Sequence, residues 1–215
     1  MKKNLTELVM ILDASGSMYD LTRDTIGGYN SMIDKQRREE GEAVVSLITF
    51  NDYSTVLCDR LPIEKVEPLT DRQYIAGGCT ALIDAIGGAI HHISNVHKYI
   101  RPEDVPERTL FVIITDGMEN ASRKYSSSEV KRRIAEKEKD GWEFIFLGAN
   151  IDAVETAATI GIRKRNAVNF ICDEVAMPKV MDSVSRAMSS MRAGNAQVCE
   201  DWAEEVHRDY KKRRR

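Results

Sequence analysis

Five oxygen-bearing side chains stand at three separated points of the sequence, each just beyond a short apolar run. They are Asp13, Ser15 and Ser17 in Asp-Ala-Ser-Gly-Ser, Thr80 in Gly-Gly-Cys-Thr-Ala-Leu, and Asp116 in Ile-Ile-Thr-Asp-Gly. The set combines hydroxyls with carboxylates and contains neither His nor Cys. Donors of this kind suit a hard divalent cation such as Mg²⁺ better than Zn²⁺ or Cu²⁺.

For the three segments to meet, the chain must bring distant strand ends to one place. Leu8 to Leu12 and Leu110 to Thr115 are continuously apolar, as strands buried on both faces of a parallel sheet are. Ala43 to Phe50 and Tyr53 to Cys58 are separated by only Asn51-Asp52, which predicts a hairpin whose second strand is antiparallel and lies at the sheet edge. Glu143 to Leu147 and Ala167 to Ile171 supply two more strands. Helical stripes fill the intervals: Ile26, Tyr29 and Ile33, then Leu82, Ile86, Ile90, Ile93 and Ile100. Ser126-x-x-Glu129 has the form of a capping box, Gly141 stops the helix that follows it, and Asp152 caps a short helix ending near Gly161. Pro178 suits the first turn of a helix running to about Met191. The alternation predicts an α/β domain with a mainly parallel sheet over residues 1–194. In such sheets ligands bind beyond the carboxyl ends of the strands where the strand order reverses, so Asp13 and Asp116 meet if their strands are neighbours there. Ser15 and Ser17, two residues apart, can point the same way, and Gly77-Gly78 frees the loop that carries Thr80.

Composition bounds the rest. With 215 residues, 42% hydrophobic and 30% charged, the chain has the balance of a globular protein with a substantial core. A net charge of −3 gives the body no bulk attraction for nucleic acid or an anionic membrane. Leu8 to Leu12 is too short and too polar in its flanks for a secretory signal, and no stretch is long enough to span a bilayer. Cys58, Cys79, Cys172 and Cys199 lie far apart with no C-x-x-C pair, which favours reduced thiols and a cytoplasmic location.

The ordered motifs Asp-x-Ser-x-Ser, a later Thr and a later Thr-Asp-Gly resemble the metal-ion-dependent adhesion site of the von Willebrand factor type A domain, and the resemblance covers roughly the first 190 residues. It implies a Rossmann-like, doubly wound, six-stranded sheet and a bound Mg²⁺ or Mn²⁺. Ser15, Ser17 and Thr80 would touch the metal directly or through water, and Asp13 and Asp116 would act largely through bound waters. It further implies a non-enzymatic module that binds a partner protein presenting an Asp or Glu; an intracellular adaptor role rests on family analogy alone.

Two other classes compete. A Mg²⁺-dependent hydrolase of the phosphoaspartyl kind needs a second Asp two residues after Asp13, where this chain has Ser15, and neither a G-x-S-x-G elbow nor a Walker loop occurs. Lys211 to Arg215 at the C-terminus could contact nucleic-acid phosphates, against the simpler reading that cations complement a helix C-terminus. His91, His92 and His97 have no i,i+3 or i,i+4 pair and read as surface residues rather than zinc ligands. Cys79 reads as a small packed thiol beneath its loop, and Glu119 and Asn120 as the rim of the site, where partner contact and capping are equal alternatives. The stripe Val198, Trp202, Val206 and Tyr210 predicts an extra C-terminal helix within residues 195–215, packed on the body by default.

Overall fold

Apolar side chains on alternate faces of the same strand require cover on both sides of a sheet. The computed structural model describes residues 1–214 and has that architecture. Six strands form one sheet: β1 (Lys2–Asp13), β2 (Glu42–Phe50), β3 (Ser54–Pro62), β4 (Pro106–Thr115), β5 (Trp142–Ala149) and β6 (Ala167–Phe170). Their order is β3-β2-β1-β4-β5-β6, with β3 antiparallel at one edge and every other pairing parallel. The helices are α1 (Thr22–Gln36), α2 (Leu82–Tyr99), α3 (Ser127–Lys139), α4 (Ala153–Thr159), α5 (Ala176–Arg192) and α6 (Glu204–Arg213).

The period of two along β1 divides the core. Leu8, Met10 and Leu12 join Tyr29, Met32 and Ile33 of α1 and Val180, Val184 and Met188 of α5 on one face. Val9 and Ile11 join Leu82, Ile86, Ile90 and Ile93 of α2 and Val130 and Ile134 of α3 on the other. Because successive connections leave on opposite faces, β1 and β4 become neighbours where the order reverses, with Leu12 opposite Ile114. Asp13 and Asp116 therefore emerge at one crevice.

All six expected strands are present, and the hairpin has its antiparallel partner at the edge. β1 is longer than its apolar run and begins at Lys2. Its outer residues carry no hydrophobic signal, but Glu7 is wholly buried and two side chains hold it. Arg60 Nε stands 2.7 Å from Glu7 Oε1, and His97 of α2 contacts Glu7 Oε2. His97 is thus not the surface residue its spacing suggested. A buried carboxylate drew it inward, and its ring also meets Trp142 edge-on at 5.3 Å. Ser126 caps α3 through the Glu129 N–H at 3.2 Å, while the Glu129 carboxylate turns to Arg133, so only half of the capping box forms.

The C-terminal stripe departs from expectation. α5 ends at Arg192, just before Gly194, whose φ of +98° suits glycine, and the helix at the end of the stripe begins only at Glu204. Val198 and Trp202 instead sit in a turn segment, buried with Val206 in the core on the α1 and α5 face. Trp202 Nε1 donates to the Arg165 carbonyl at 3.2 Å, an anchor that a regular helix from residue 198 would not require. Period-four spacing alone does not distinguish a helix from a turn whose large side chains are each buried. Of the basic terminal run, Lys211 to Arg213 close α6, and Arg215 lies outside the described residues.

Trp202→Ala is expected to cost about 3–5 kcal/mol, read from the urea midpoint, because its side chain is 1% exposed. Glu143 offers a pH-dependent test: burial pushes its carboxyl up, against a hydrogen bond from Asn166 and the nearby Arg163 guanidinium. A raised folded value means that stability is full while Glu143 is protonated and falls as pH rises through the folded value. Glu143→Gln should therefore match the parent protein at the acid end of the carboxylate range and exceed it in melting temperature at neutral pH.

Candidate metal centre

β1 delivers Asp13, 1% exposed, to the crevice, where its carboxylate is held from two sides. Oδ1 accepts the Ser15 N–H at 2.7 Å, and Oδ2 accepts the Thr115 hydroxyl at the end of β4. Tyr74, buried on the loop after β3, donates its hydroxyl to the Asp13 backbone carbonyl. Asp116 follows Thr115 at once. Its Oδ1 accepts from Ser17 Oγ at 2.6 Å, and Ser17 Oγ lies 3.2 Å from Ser15 Oγ. Ser15 precedes the 3₁₀ turn Gly16–Leu21 as its N-cap, yet its side chain caps nothing. The hydroxyl is left for the crevice, so capping does not account for it.

Thr80 arrives from the third segment. Gly16 N–H donates to the Gly78 carbonyl at 3.1 Å and Gly77 N–H to the Ala14 carbonyl at 2.9 Å, which fastens this loop to the first one. Gly78 has φ +79°, the left-handed region that glycine adopts without strain. Asn120 brackets Thr80, its Oδ1 accepting the Thr80 N–H at 2.9 Å and its own N–H donating to the Thr80 carbonyl at 3.1 Å. The Thr80 hydroxyl packs against Gly117, so closely that a Cβ there would stand 2.8 Å from it. All five residues marked by the sequence are thus brought together, with Ser17 at the solvent side and Asp13, Ser15, Thr80 and Asp116 buried.

The electrostatics leave a place for positive charge. Neither Asp13 nor Asp116 enters an ion pair among the described residues. Burial pushes the Asp13 carboxyl above its ordinary value; hydrogen bonds from Ser15 and Thr115 oppose this, and the charge of Asp116 adds to it. A cation between the two carboxylates would offset both their desolvation and their mutual repulsion. Among the described residues no three His, Cys, Asp or Glu side chains gather into a metal cluster, so an ion at this crevice must draw on the hydroxyls.

Sequence reasoning passed over several supporting residues. Thr115 and Gly117 flank the Asp in its own motif, and only the fold shows one bonding Asp13 and the other making room for Thr80. Cys172, after β6, donates its thiol to Asp116 Oδ2 at 3.6 Å, and burial together with the Asp116 charge pushes that thiol up, so it stays a neutral donor. Glu119 resolves toward capping: Oε2 accepts the Ile83 N–H at 2.8 Å at the start of α2, and Oε1 accepts the Ala121 and Ser122 N–H groups. Cys79 is exposed rather than packed beneath the loop. Its N–H is turned to the Asp52 carboxylate at 3.2 Å, which directs the side chain outward.

No family model and no curated protein matches the sequence. Solved structures do resemble it. Proximal thread matrix protein 1 from the mussel byssus, with a zinc-occupied metal-ion-dependent adhesion motif, superposes with a TM-score of 0.58 at 16% identity, over 86% of this chain and 46% of that one. A second crystal form of the same mussel protein gives 0.57 at 17% identity over the same shares. A von Willebrand factor type A protein from Catenulispora acidiphila gives 0.55 at 13% identity, over 86% of this chain and 42% of that one. The chain spans less than half the length of these proteins. Together with the strand order and the single antiparallel edge strand, these likenesses identify the architecture of the chain as the von Willebrand factor type A fold.

Proposed function

We propose that the chain is a protein-binding module in which Asp13, Ser15, Ser17, Thr80 and Asp116 hold a divalent cation that captures an Asp or Glu side chain of a partner protein. The observation that carries this reading is the meeting of two carboxylates and three hydroxyls at one crevice with no basic side chain among the described residues paired to the acids. The ion, when bound, supplies a centre of uncompensated positive charge to which an incoming carboxylate can attach. The chain's own residues do the rest. Thr115 and the Ser15 N–H fix the Asp13 carboxylate, Asn120 fixes the Thr80 backbone, and Gly117 leaves the Thr80 hydroxyl its space. Oxygen donors of this kind favour Mg²⁺ or Mn²⁺. The zinc in the mussel motif supports a divalent ion at such a site without choosing among metals.

A binding role rather than catalysis is supported by the company the hydroxyls keep. Among the described residues Ser15 and Ser17 are hydrogen-bonded to one another and to Asp116, not to a His or Lys that would serve as a general base. No helix of the described residues is long and apolar enough to cross a membrane. We place the module in the cytoplasm on its four separated thiols, in the role of an adaptor.

Adding Mg²⁺ or Mn²⁺ at about a hundred times its dissociation constant should stabilise the protein by about 2.7 kcal/mol, a rise in melting temperature of roughly 5–10 °C for a chain of this size. Asp13→Asn and Thr80→Ala should each abolish that rise while melting normally without the ion, and EDTA should release any partner captured by the parent protein. Retention of a partner through chelation and in both variants would refute the reading. Gly117→Ala removes no donor, yet should weaken ion binding about tenfold or more by driving the Thr80 hydroxyl from its place, as measured by calorimetric titration. Phosphatase and nuclease assays with either metal should remain blank.

A further inference from the structure

Beside the crevice, and on the same end of the sheet, the loops after β4, β5 and β6 enclose a groove of about 500 Å³ whose far wall is the last turn of α6. Its near end is lined by chain neighbours of the candidate metal centre. Met118 stands two residues beyond Asp116, and Ile171 precedes Cys172, whose thiol reaches Asp116. Its far end is formed by Tyr210 and Arg214. The groove exists because the 195–203 segment, anchored by Trp202, carries α6 back across β6.

The charges along it are unequally used. Arg213 is committed to Asp173 and to Asp209 at 3.1 Å, and Lys179 of α5 is also paired with Asp209, which clamps α6 in place. Arg214 enters no ion pair among the described residues; its guanidinium lies over the Tyr210 ring, 5.3 Å from the centroid. Asp152, the carboxylate that lines the groove, is turned to the Val154 and Glu155 N–H groups at the start of α4. The apolar wall includes Met118, 72% exposed.

We propose that this groove is the docking track for an extended acidic segment of the partner, one carboxylate at the metal centre and a second at Arg214, with an apolar side chain between them against Met118 and Tyr210. This rests on the metal-dependent reading above and adds to it a second contact and a spacing. β4 and β6 are two strand spacings apart, about 10 Å, and α6 lies beyond, while an extended chain advances about 3.3 Å per residue. The two acidic residues should therefore be about three to four positions apart. Charge complementarity selects the occupant: a cation at one end and an unpaired guanidinium at the other, on a body whose net charge of −3 attracts no polyanion as a whole.

The test uses the full chain with Mg²⁺ and capped synthetic peptides, read by NMR titration. One peptide carries a single Glu with a Met following it; the others add a second Glu at increasing distance. The single-Glu peptide should bind only with Mg²⁺. A second Glu about three to four positions away should tighten binding roughly two- to fivefold, and other spacings should not. Arg214→Ala should remove that gain, leave single-Glu binding and the melting temperature unchanged, and confine its shift changes to the groove. Failure of the single-Glu peptide to bind would overturn the metal-dependent function and this inference with it. Binding of that peptide with no spacing-dependent gain, or a gain that survives Arg214→Ala, would overturn the inference alone. So would an Arg214-dependent affinity for single-stranded oligodeoxynucleotide without Mg²⁺, joined to indifference to the second Glu, because Arg214 would then serve phosphate.

Discussion

Two carboxylates held side by side, out of water and without a basic partner, are the constraint to which the rest of the molecule answers. Asp13 and Asp116 are neighbours because β1 and β4 are neighbours, and those strands adjoin because the chain runs outward to β2 and β3 before returning to the other side of β1. Ordinarily a lysine or arginine would be recruited to such a place. Here the nearby groups are hydroxyls and backbone N–H, which hydrogen-bond a carboxylate but cannot neutralise it. The burial that raises Asp13, to which the charge of Asp116 adds, is therefore a standing cost of the folded chain, borne by the two-faced core beneath it.

Around this pair the loops are stiffened by carboxylates and amides whose work is local. Glu119 occupies the start of α2, Asp84 accepts the N–H groups of Arg123, Lys124 and Tyr125, and Asn120 grips the backbone of Thr80. Each buried N–H that finds an acceptor removes a reason for the loop to rearrange. The outcome is a Thr80 hydroxyl held against Gly117 by a network in which it takes no part. Preorganisation of this kind matters for a weakly charged donor set, since neutral oxygens supply little attraction to offset the ordering of loose loops.

The sheet and the meeting of the five crevice residues are legible in the sequence for one reason: both are written in local patterns. Continuous apolar runs mark strands covered on both faces, and Asp-x-Ser-x-Ser or Thr-Asp-Gly is legible because strand ends are where apolar runs stop. What escaped depended on distant partners. Nothing near Glu7 announces that Arg60 and His97 will bury it, so the apolar pattern alone makes β1 too short and leaves His97 at the surface. Nothing near Val198 and Trp202 tells a helical stripe from a turn pinned by a tryptophan; the deciding contact is the Arg165 carbonyl, far back in sequence. The place of Cys79 beside Thr80 suggests packing, whereas its thiol is exposed and its N–H meets Asp52 on the hairpin. Thr115 illustrates a middle case: its motif was visible, but its duty to Asp13 across the sheet was not.

The balance between hydroxyls and carboxylates also bears on what kind of module this is. A crevice lined by many carboxylates would satisfy a divalent ion fully and leave it indifferent to further acids. With only Asp13 and Asp116 carrying charge, and both engaged in hydrogen bonds to the chain, an ion in this setting would remain electropositive in surroundings of reduced dielectric, where an added carboxylate counts for more than it would in water. Under the proposed function, linkage then requires reciprocity: whatever factor the ion contributes to the affinity for an acidic partner, the partner returns to the affinity for the ion. Modest attraction for each alone, with strong mutual reinforcement, is what a donor set of neutral alcohols and paired acids implies. A near-neutral body is consistent with the same reading, in which discrimination among partners would fall to the crevice and its immediate surroundings rather than to the charge of the protein as a whole.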